Sequence, residues 1–376
     1  MRRILIPTMV GDTHARAVCC AASARGYDVV RWFTADHPTR QLSTFLLTND
    51  GRMSWALEGS ELSLHDHSFD VVWLRRPMLP LLPPTLHPHD VHTASVENLS
   101  MQRSILYSLA DGAVWINPYE AHLRARNKLV QLRAAGPAGL TIPATLMSND
   151  PARVRTFITG NLPRRTIYKP FQFARWESDN GAVAVVETTL IDQDSLPSPD
   201  LMRLTPGIFQ PYIEKAFEVR ATFFGAHVIA LKLHSQKSEC SKVDWRASAN
   251  RGLEVETCVL PEEVYQACRR LMRSLGLVFG AFDFVVTPAG EYVFLEVNEA
   301  GQFLWKEHLC PQTRVLDVFL DFLANPSYNF SWEPSSSRHQ SLVSIVTSDE
   351  YQRLGEDERA LHVAGYECPI DLTGPA

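Results

Sequence analysis

The chain has 376 residues, 45% of them hydrophobic, which is enough apolar material for one large domain or two to three smaller ones. A net charge of -6 and an isoelectric point near 6.1 leave no broad positive field, which excludes non-specific nucleic-acid binding. There is no run of about 18 apolar residues, so no membrane span is expected; the seven cysteines are odd in number, scattered and without a C-x-x-C pair, as reduced thiols of a cytoplasmic protein are.

Arg2 and Arg3 precede apolar residues as in a signal peptide, but Asp12, His14 and Arg16 interrupt the run too early. The segment reads instead as a strand from Ile4 to Met9 followed by a helix. Further short strands, "DVVRWF", "FDVVWLRRP" and "AVWINP", alternate with helical runs and predict an N-terminal α/β unit with parallel strands over residues 1–118. Within it "MLPLLPPTLHPH" is a proline-rich loop and "ENLSMQRSILYSLAD" a helix. Pro118 opens another helix, "YEAHLRARNKLVQLRAAG", which Gly136 stops.

A central unit, 119–207, continues with a strand at "TIPATLMS" and a helix after Asn149-Asp150-Pro151. A strand "RTIYKPF", a polar loop "ARWESDNG" and a strand "AVAVVETTLI" follow. The block 208–325 is strand-dominated: "GIFQPYI", "FEVRATFFG", "HVIALKLHS", then a helix "PEEVYQACRRLMRSLG", a hairpin and a last helix "TRVLDVFLDFLA". Beyond Asn325-Pro326, "SYNFSWEPSSSRHQS" reads as a linker, and the tail 326–376 has room for one short helix or strand. No internal repeat is present.

The hairpin, 281–287 and 291–298 around "PAG", carries Asp283, Glu296 and Asn298 inside apolar strands. Glu296 and Asn298 are two apart and share a face. A two- or four-residue loop brings Asp283 to that face, opposite Phe294, whereas a three-residue loop sends it to the other. Converged, the three form an oxygen-only set suited to Mg²⁺ held together with phosphate oxygens. The alternative pairs Asp283 and Glu296 each with an arginine in a solvated groove.

Neither G-x-x-x-x-G-K-[ST] nor a G-x-G-x-x-G after a strand occurs, so other groups must meet the phosphates of any bound nucleotide. Lys169, in the largely apolar strand "TIYKPF", and Lys128, on the helix after the first boundary, are placed for that task. In "IFQPYIEKAFEVR", the backbone of Gln210, Pro211, Tyr212 and Ile213 can read an adenine edge, and Glu218 can accept from ribose hydroxyls. An ordinary edge strand with a surface glutamate is the plainer alternative.

The order of these features resembles the ATP-grasp superfamily, an α/β (α+β) fold with an N-terminal parallel-sheet pre-ATP-grasp domain. "VVWLRRP", "YKPF", "FQPYIEKAFEVRATFFG", "SQKSECSKVDWR" and "LGLVFGAFDFVVTPAGEYVFLEVNEAGQFLW" are similar to its ribosomal-peptide maturases, the graspetide (microviridin-type) synthetases. The resemblance runs to about residue 325 and implies ATP and Mg²⁺ as cofactors. It implies Asp283, Glu296 and Asn298 as magnesium ligands, Lys128 and Lys169 on the phosphates, Gln210 to Ile213 as the adenine hinge and Glu218 on the ribose. Arg220 and Arg246 correspond to arginines near the γ-phosphate and acyl phosphate, and the loop "FARWESDNG" to a lid. One departure is "EAGQF" after Asn298, where Glu299 adds a charge beside the metal site.

The implied function is a cytoplasmic ligase, expected as a homodimer, that crosslinks Asp or Glu side chains of a ribosomal precursor peptide to Ser, Thr or Lys. Arg75 and Arg76 are candidates for the peptide surface, and read equally as solvated arginines ending a strand. The competing readings are a ligase that adds free amino acids to a protein tail and a non-catalytic peptide-binding scaffold.

Overall fold

The computed structural model describes residues 2–363 apart from 67, 111, 172–174, 178–182, 186–187, 239–240, 249–251 and 336–338; for 175–177, 183–185 and 247–248 it describes the backbone. β1 (Arg3–Thr8) is buried after its first residue, as a strand with neighbours on both sides must be. α1 (Thr13–Ala24) follows, capped by Asp12, whose side chain accepts from the Ala15 N–H at 2.9 Å. The chain then forms β2 (Asp28–Phe33), β3 (Gln41–Leu47), β4 (Met53–Gly59), β5 (Ser63–His65), β6 (Val71–Trp73), α2 (Val91–Ser108) and β7 (Val114–Ile116). Strands β2-β1-β6-β7 make the expected parallel sheet, and β3-β4-β5 a separate antiparallel one that the sequence reading did not resolve. The chain leaves β1 on one side to make β2 and returns on the other as β6, so the strand order switches direction at β1. In open α/β sheets the carboxyl end of such a strand faces a crevice.

The single helix expected after Pro118 is two, α3 (Tyr119–Ala125) and α4 (Lys128–Ala135). Asn127 is the cause: its backbone is extended and its side chain accepts from the Val130 N–H at 3.1 Å, which starts a new helix at Lys128. Next come β8 (Leu146–Ser148), α5 (Pro151–Asn161), β9 (Thr166–Lys169), β10 (Arg175–Glu177), β11 (Val183–Val185), β12 (Thr189–Ile191), α6 (Pro199–Leu204) and β13 (Gly207–Pro211). The strand expected over 182–191 is thus divided between β11 and β12. β13 pairs inside the sheet β12-β9-β13-β8 and is no edge strand. Of the lid loop at 173–181, the segments outside 175–177 lie outside the described residues.

The last sheet, β16-β15-β14-β17-β18, is antiparallel throughout. It is built from β14 (Phe217–Phe224), β15 (His227–Leu233), β16 (Val255–Cys258), β17 (Phe279–Val286) and β18 (Tyr292–Asn298), with α7 (Glu262–Leu275) between β16 and β17. On one face Phe223, Phe282, Phe284, Phe294 and Val297 pack against Leu271 and Met272 of α7. On the other, α8 (Trp305–Leu309) and α9 (Val315–Ala324) join it to the parallel sheet, because Phe319 and Phe322 lie in one apolar cluster with Phe224, Phe279, Ile4 and Trp73.

The tail contains α10 (Leu342–Val346) and α11 (Asp349–Leu361), which close over α1. Glu358 of α11 is buried and accepts from Arg16 at 2.8 Å and from Arg31. Removing it leaves two poorly hydrated guanidinium groups without their carboxylate. Glu358→Ala is therefore expected to cost about 3–5 kcal/mol, read as a lower denaturation midpoint. An unchanged midpoint would show that water compensates both arginines. Among the described residues, no helix is long and apolar enough to cross a membrane.

The β17–β18 hairpin has an unexpected register. Its loop is the three-residue Pro288-Ala289-Gly290, with Gly290 at φ +85 and the Thr287 N–H bonded to the Glu291 carbonyl at 3.0 Å. Simple alternation would then put Asp283 and Glu296 on opposite faces. The ladder instead shifts between Phe284, opposite Phe294, and Asp283, opposite Glu296 and not Phe294. Leu295 is the extra residue of a β-bulge. Phe294 and Val297 both reach the core while Glu296 and Asn298 keep the other face, with Asp283 among them.

Candidate active site

The register across three strands places Arg220 opposite Asp283 and Asp283 opposite Glu296, a row of charged side chains across β14, β17 and β18. Arg220 Nη1 donates to Asp283 Oδ2 at 2.5 Å, with both side chains buried. Asn298 Nδ2 donates to Asp283 Oδ2 at 3.3 Å and to Glu296 Oε1 at 3.4 Å. Arg246, on a short turn over Trp245–Ser248, reaches Asp283 at 3.5 Å, Glu296 at 3.4 Å and Asp244 at 3.2 Å. Lys128, the first residue of α4, donates to Glu296.

Burial opposes ionisation of Glu296, but Lys128, Arg246 and Lys169 overcome it and hold its carboxyl well below the usual range. Lys169, at the end of β9, feels the same field from the other side. Burial lowers its pKa, the attraction of Glu296 resists, and Lys128 and Arg246 lower it further. Four cations (Lys128, Lys169, Arg220, Arg246) thus meet three carboxylates (Asp244, Asp283, Glu296). Asp283, Glu296 and Asn298 do converge on one face, and Arg220 and Arg246 pair with the two carboxylates, of which Asp283 is buried and not in a solvated groove.

Gln210, near the end of β13, is buried and donates to Thr145 Oγ at 2.9 Å; its Oε1 has no partner among the described residues. The β8 ladder ends at Phe209, which leaves Gln210, Pro211, Tyr212 and Ile213 beyond its reach on that side. The other side is occupied: β9 pairs through Pro211, and the Tyr212 N–H donates to the Arg165 carbonyl at 2.7 Å. Glu218 is buried, not a surface residue, and accepts from Lys215 Nζ at 2.7 Å. Burial raises its pKa against the pull of Lys215.

Glu299 turns toward α3, where His122 Nδ1 lies 3.2 Å from its carboxyl. Burial pushes Glu299 up to about 7 and His122 down to about 4, so between those values neither group is charged.

Several positioning residues escaped the sequence reading. Gln131 holds both backbone groups of Val297, accepting its N–H at 2.8 Å and donating to its carbonyl at 2.9 Å, which fixes α4 and Lys128 against β18. It lies three residues after Lys128, on the same helix face, and that spacing was its only signal. Lys306 is fully buried and donates to the carbonyls of Arg220 and Ile229 at 2.9 and 2.8 Å. Like Lys169 it is a lysine in an apolar run. Gly301 leaves room for Arg220, because a Cβ there would lie 2.9 Å from Arg220 Nη2.

No family model and no curated protein matches the chain, but solved structures do. A RiPP-associated ATP-grasp ligase of Chryseobacterium gregarium, in complex with ADP and a leader and core peptide, superposes with a TM-score of 0.76 at 26% identity, over 91% of this chain and 99% of that one. The macrocyclase MdnB of Microcystis aeruginosa superposes at 0.72 and 27% identity, over 86% of this chain and 100% of its own. MdnC of the same organism, bound with its precursor peptide MdnA, superposes at 0.73 and 25% identity, over 86% and 99%.

Proposed function

We propose that this chain, an ATP-grasp ligase of the RiPP-maturing type, activates Asp or Glu side-chain carboxylates of a ribosomal precursor peptide and crosslinks them to Ser or Thr hydroxyls or Lys amines. The observation that carries the proposal is the Arg220–Asp283–Glu296 row with Lys128, Lys169 and Arg246 converging on it.

A carboxylate repels nucleophiles and has no good leaving group. Transfer of the ATP γ-phosphoryl group to it gives an acyl phosphate and ADP; attack by the hydroxyl or amine then forms the ester or amide and releases phosphate. The first step brings two anions together, and the cations of this site offset that repulsion. Lys128 and Lys169 hold phosphate oxygens in this reading, while Arg220 and Arg246 face the transferred group and the oxyanion of the second step. Gln210 to Ile213 line the adenine and Glu218 the ribose.

Asp283, Glu296 and Asn298 fit Mg²⁺: two carboxylates and an amide are hard oxygen donors, and a half-turn of the Asn298 amide would present its oxygen where its nitrogen now lies. Bound there, Mg²⁺ supplies the remaining neutralisation of phosphate charge.

A homodimer and a cytoplasmic location complete the proposal. β3 is the outer strand of its sheet and exposes Leu42, Leu46 and Leu47, an apolar edge that a second copy would cover. Co-expression with the short Ser/Thr- and Asp/Glu-rich reading frame nearest its gene tests the chemistry. The expected result is loss of one water per crosslink in the peptide mass. A gain of amino-acid residues would favour the tailing ligase, and an unchanged mass with no ADP formed would favour the scaffold.

A further inference from the structure

A second polar cluster lies at the carboxyl end of β1, where the strand order of the parallel sheet switches. Thr8, at the end of β1, and His14, in the first turn of α1, are 1% and 0% exposed, yet the Thr8 hydroxyl and both ring nitrogens of His14 have no partner among the described residues. The Thr13 hydroxyl shares this condition. Buried polar groups are nearly always hydrogen-bonded, and leaving several together unmatched is costly unless something else matches them.

Charged groups surround them. Asp12 lies 3.1 Å from Arg75 Nε and 4.0 Å from Arg76 Nε. His14 lies within the field of all three, and its ring stands nearly perpendicular to that of Phe303, with centroids 5.3 Å apart. The amino end of α1, a helix of 12 residues, adds positive potential. The cluster adjoins the reaction row: Arg75 donates to the Ala300 carbonyl, and the next residue, Gly301, packs against Arg220.

We infer that this cluster is a carboxylate-binding pocket, and that its ligand is the Asp or Glu side chain of the peptide, held beside Arg220 before phosphorylation. The inference rests on the function proposed above. Thr8, Thr13 and a His14 N–H would donate to the carboxylate, and the positive end of α1 would favour its charge. Arg75, neutralised by Asp12, ties the pocket to the loop that follows β18.

The test uses the full chain with ADP and N-acetyl-L-aspartic acid N-methylamide, a probe offering one side-chain carboxylate. Histidine-ring ¹⁵N resonances report binding, and the His14 signal is identified by its loss in His14→Asn. A saturable shift at His14 is expected, absent with the neutral asparagine analogue. Thr8→Val should weaken the probe about tenfold or more while leaving ADP affinity and thermal midpoint unchanged, because it removes a hydroxyl that has no partner among the described residues. The inference is overturned if His14 does not respond, if the asparagine analogue shifts it equally, or if Thr8→Val binds the probe as wild type does. Should His14→Asn fail to fold, Thr8→Val alone decides. Wild-type protein that binds the probe at His14 but never crosslinks a peptide would overturn the proposed function and leave the pocket standing.

Discussion

Glu296→Gln is expected to lower ATP-dependent crosslinking by about 10³-fold, the scale of removing one preorganised group from a charged transition-state site. The substitution keeps shape and removes charge. Glu296 is where Lys128, Arg246 and Asn298 meet, so its loss unbalances the whole cluster. Because Gln can still accept a hydrogen bond, β18 should keep its register, and the aromatic contacts of Phe294 and Phe282 should be unaffected. A second readout separates the role in metal binding from general damage. ADP should bind wild type more tightly with Mg²⁺ than without, and the variant should lose that difference. Turnover near wild type, or ADP binding that still responds to Mg²⁺, would remove Glu296 from the metal site.

Lys169→Met should abolish measurable ATP turnover while leaving the protein at least as stable. The two effects have opposite signs for one reason. Burial depresses the Lys169 pKa below its ordinary 10.5, so the protonated side chain opposes folding at neutral pH, and stability rises with pH between the depressed value and 10.5. Methionine removes both that cost and that pH dependence. It also removes the charge that would meet a phosphate, for which a loss of about 10²–10³-fold or more is the usual scale. A variant that is both inactive and clearly destabilised would mean that Lys169 holds the fold through Glu296. A variant with normal turnover would take it off the phosphates.

The sequence made some of this arrangement legible and hid the rest. Alternation in "GEYVFLEVN" identifies Glu296 and Asn298 as sharing a face, because period two is a local property of the chain. It cannot reveal Leu295 as an unpaired residue, since a bulge is defined only against the partner strand. Asn127 is visible as a possible cap, but the continuous helical pattern on either side of it masks the break. Gln131, Lys215 and Lys306 act by reaching the backbone or side chains of other elements, and nothing in their neighbours announces this. Arg75 reads as a surface residue ending a strand until the fold closes over it. Placement along the chain was thus readable wherever periodicity decides it, and contacts between distant segments were not.

The bulge at Leu295 also determines where the hairpin can change length during descent. Deleting Leu295 would join Glu296 to Phe294 and leave Asp283 opposite Glu296, Phe282 opposite Val297 and Ala281 opposite Asn298. Deleting Val297 instead would slide Asn298 opposite Phe282 and drive an amide into the aromatic core. One codon lost is therefore neutral for the charged row in the first case and ruinous in the second. Length differences among hairpins of common ancestry should accumulate at position 295 and at the 288–290 tip, while the frame from 296 to 298 stays invariant.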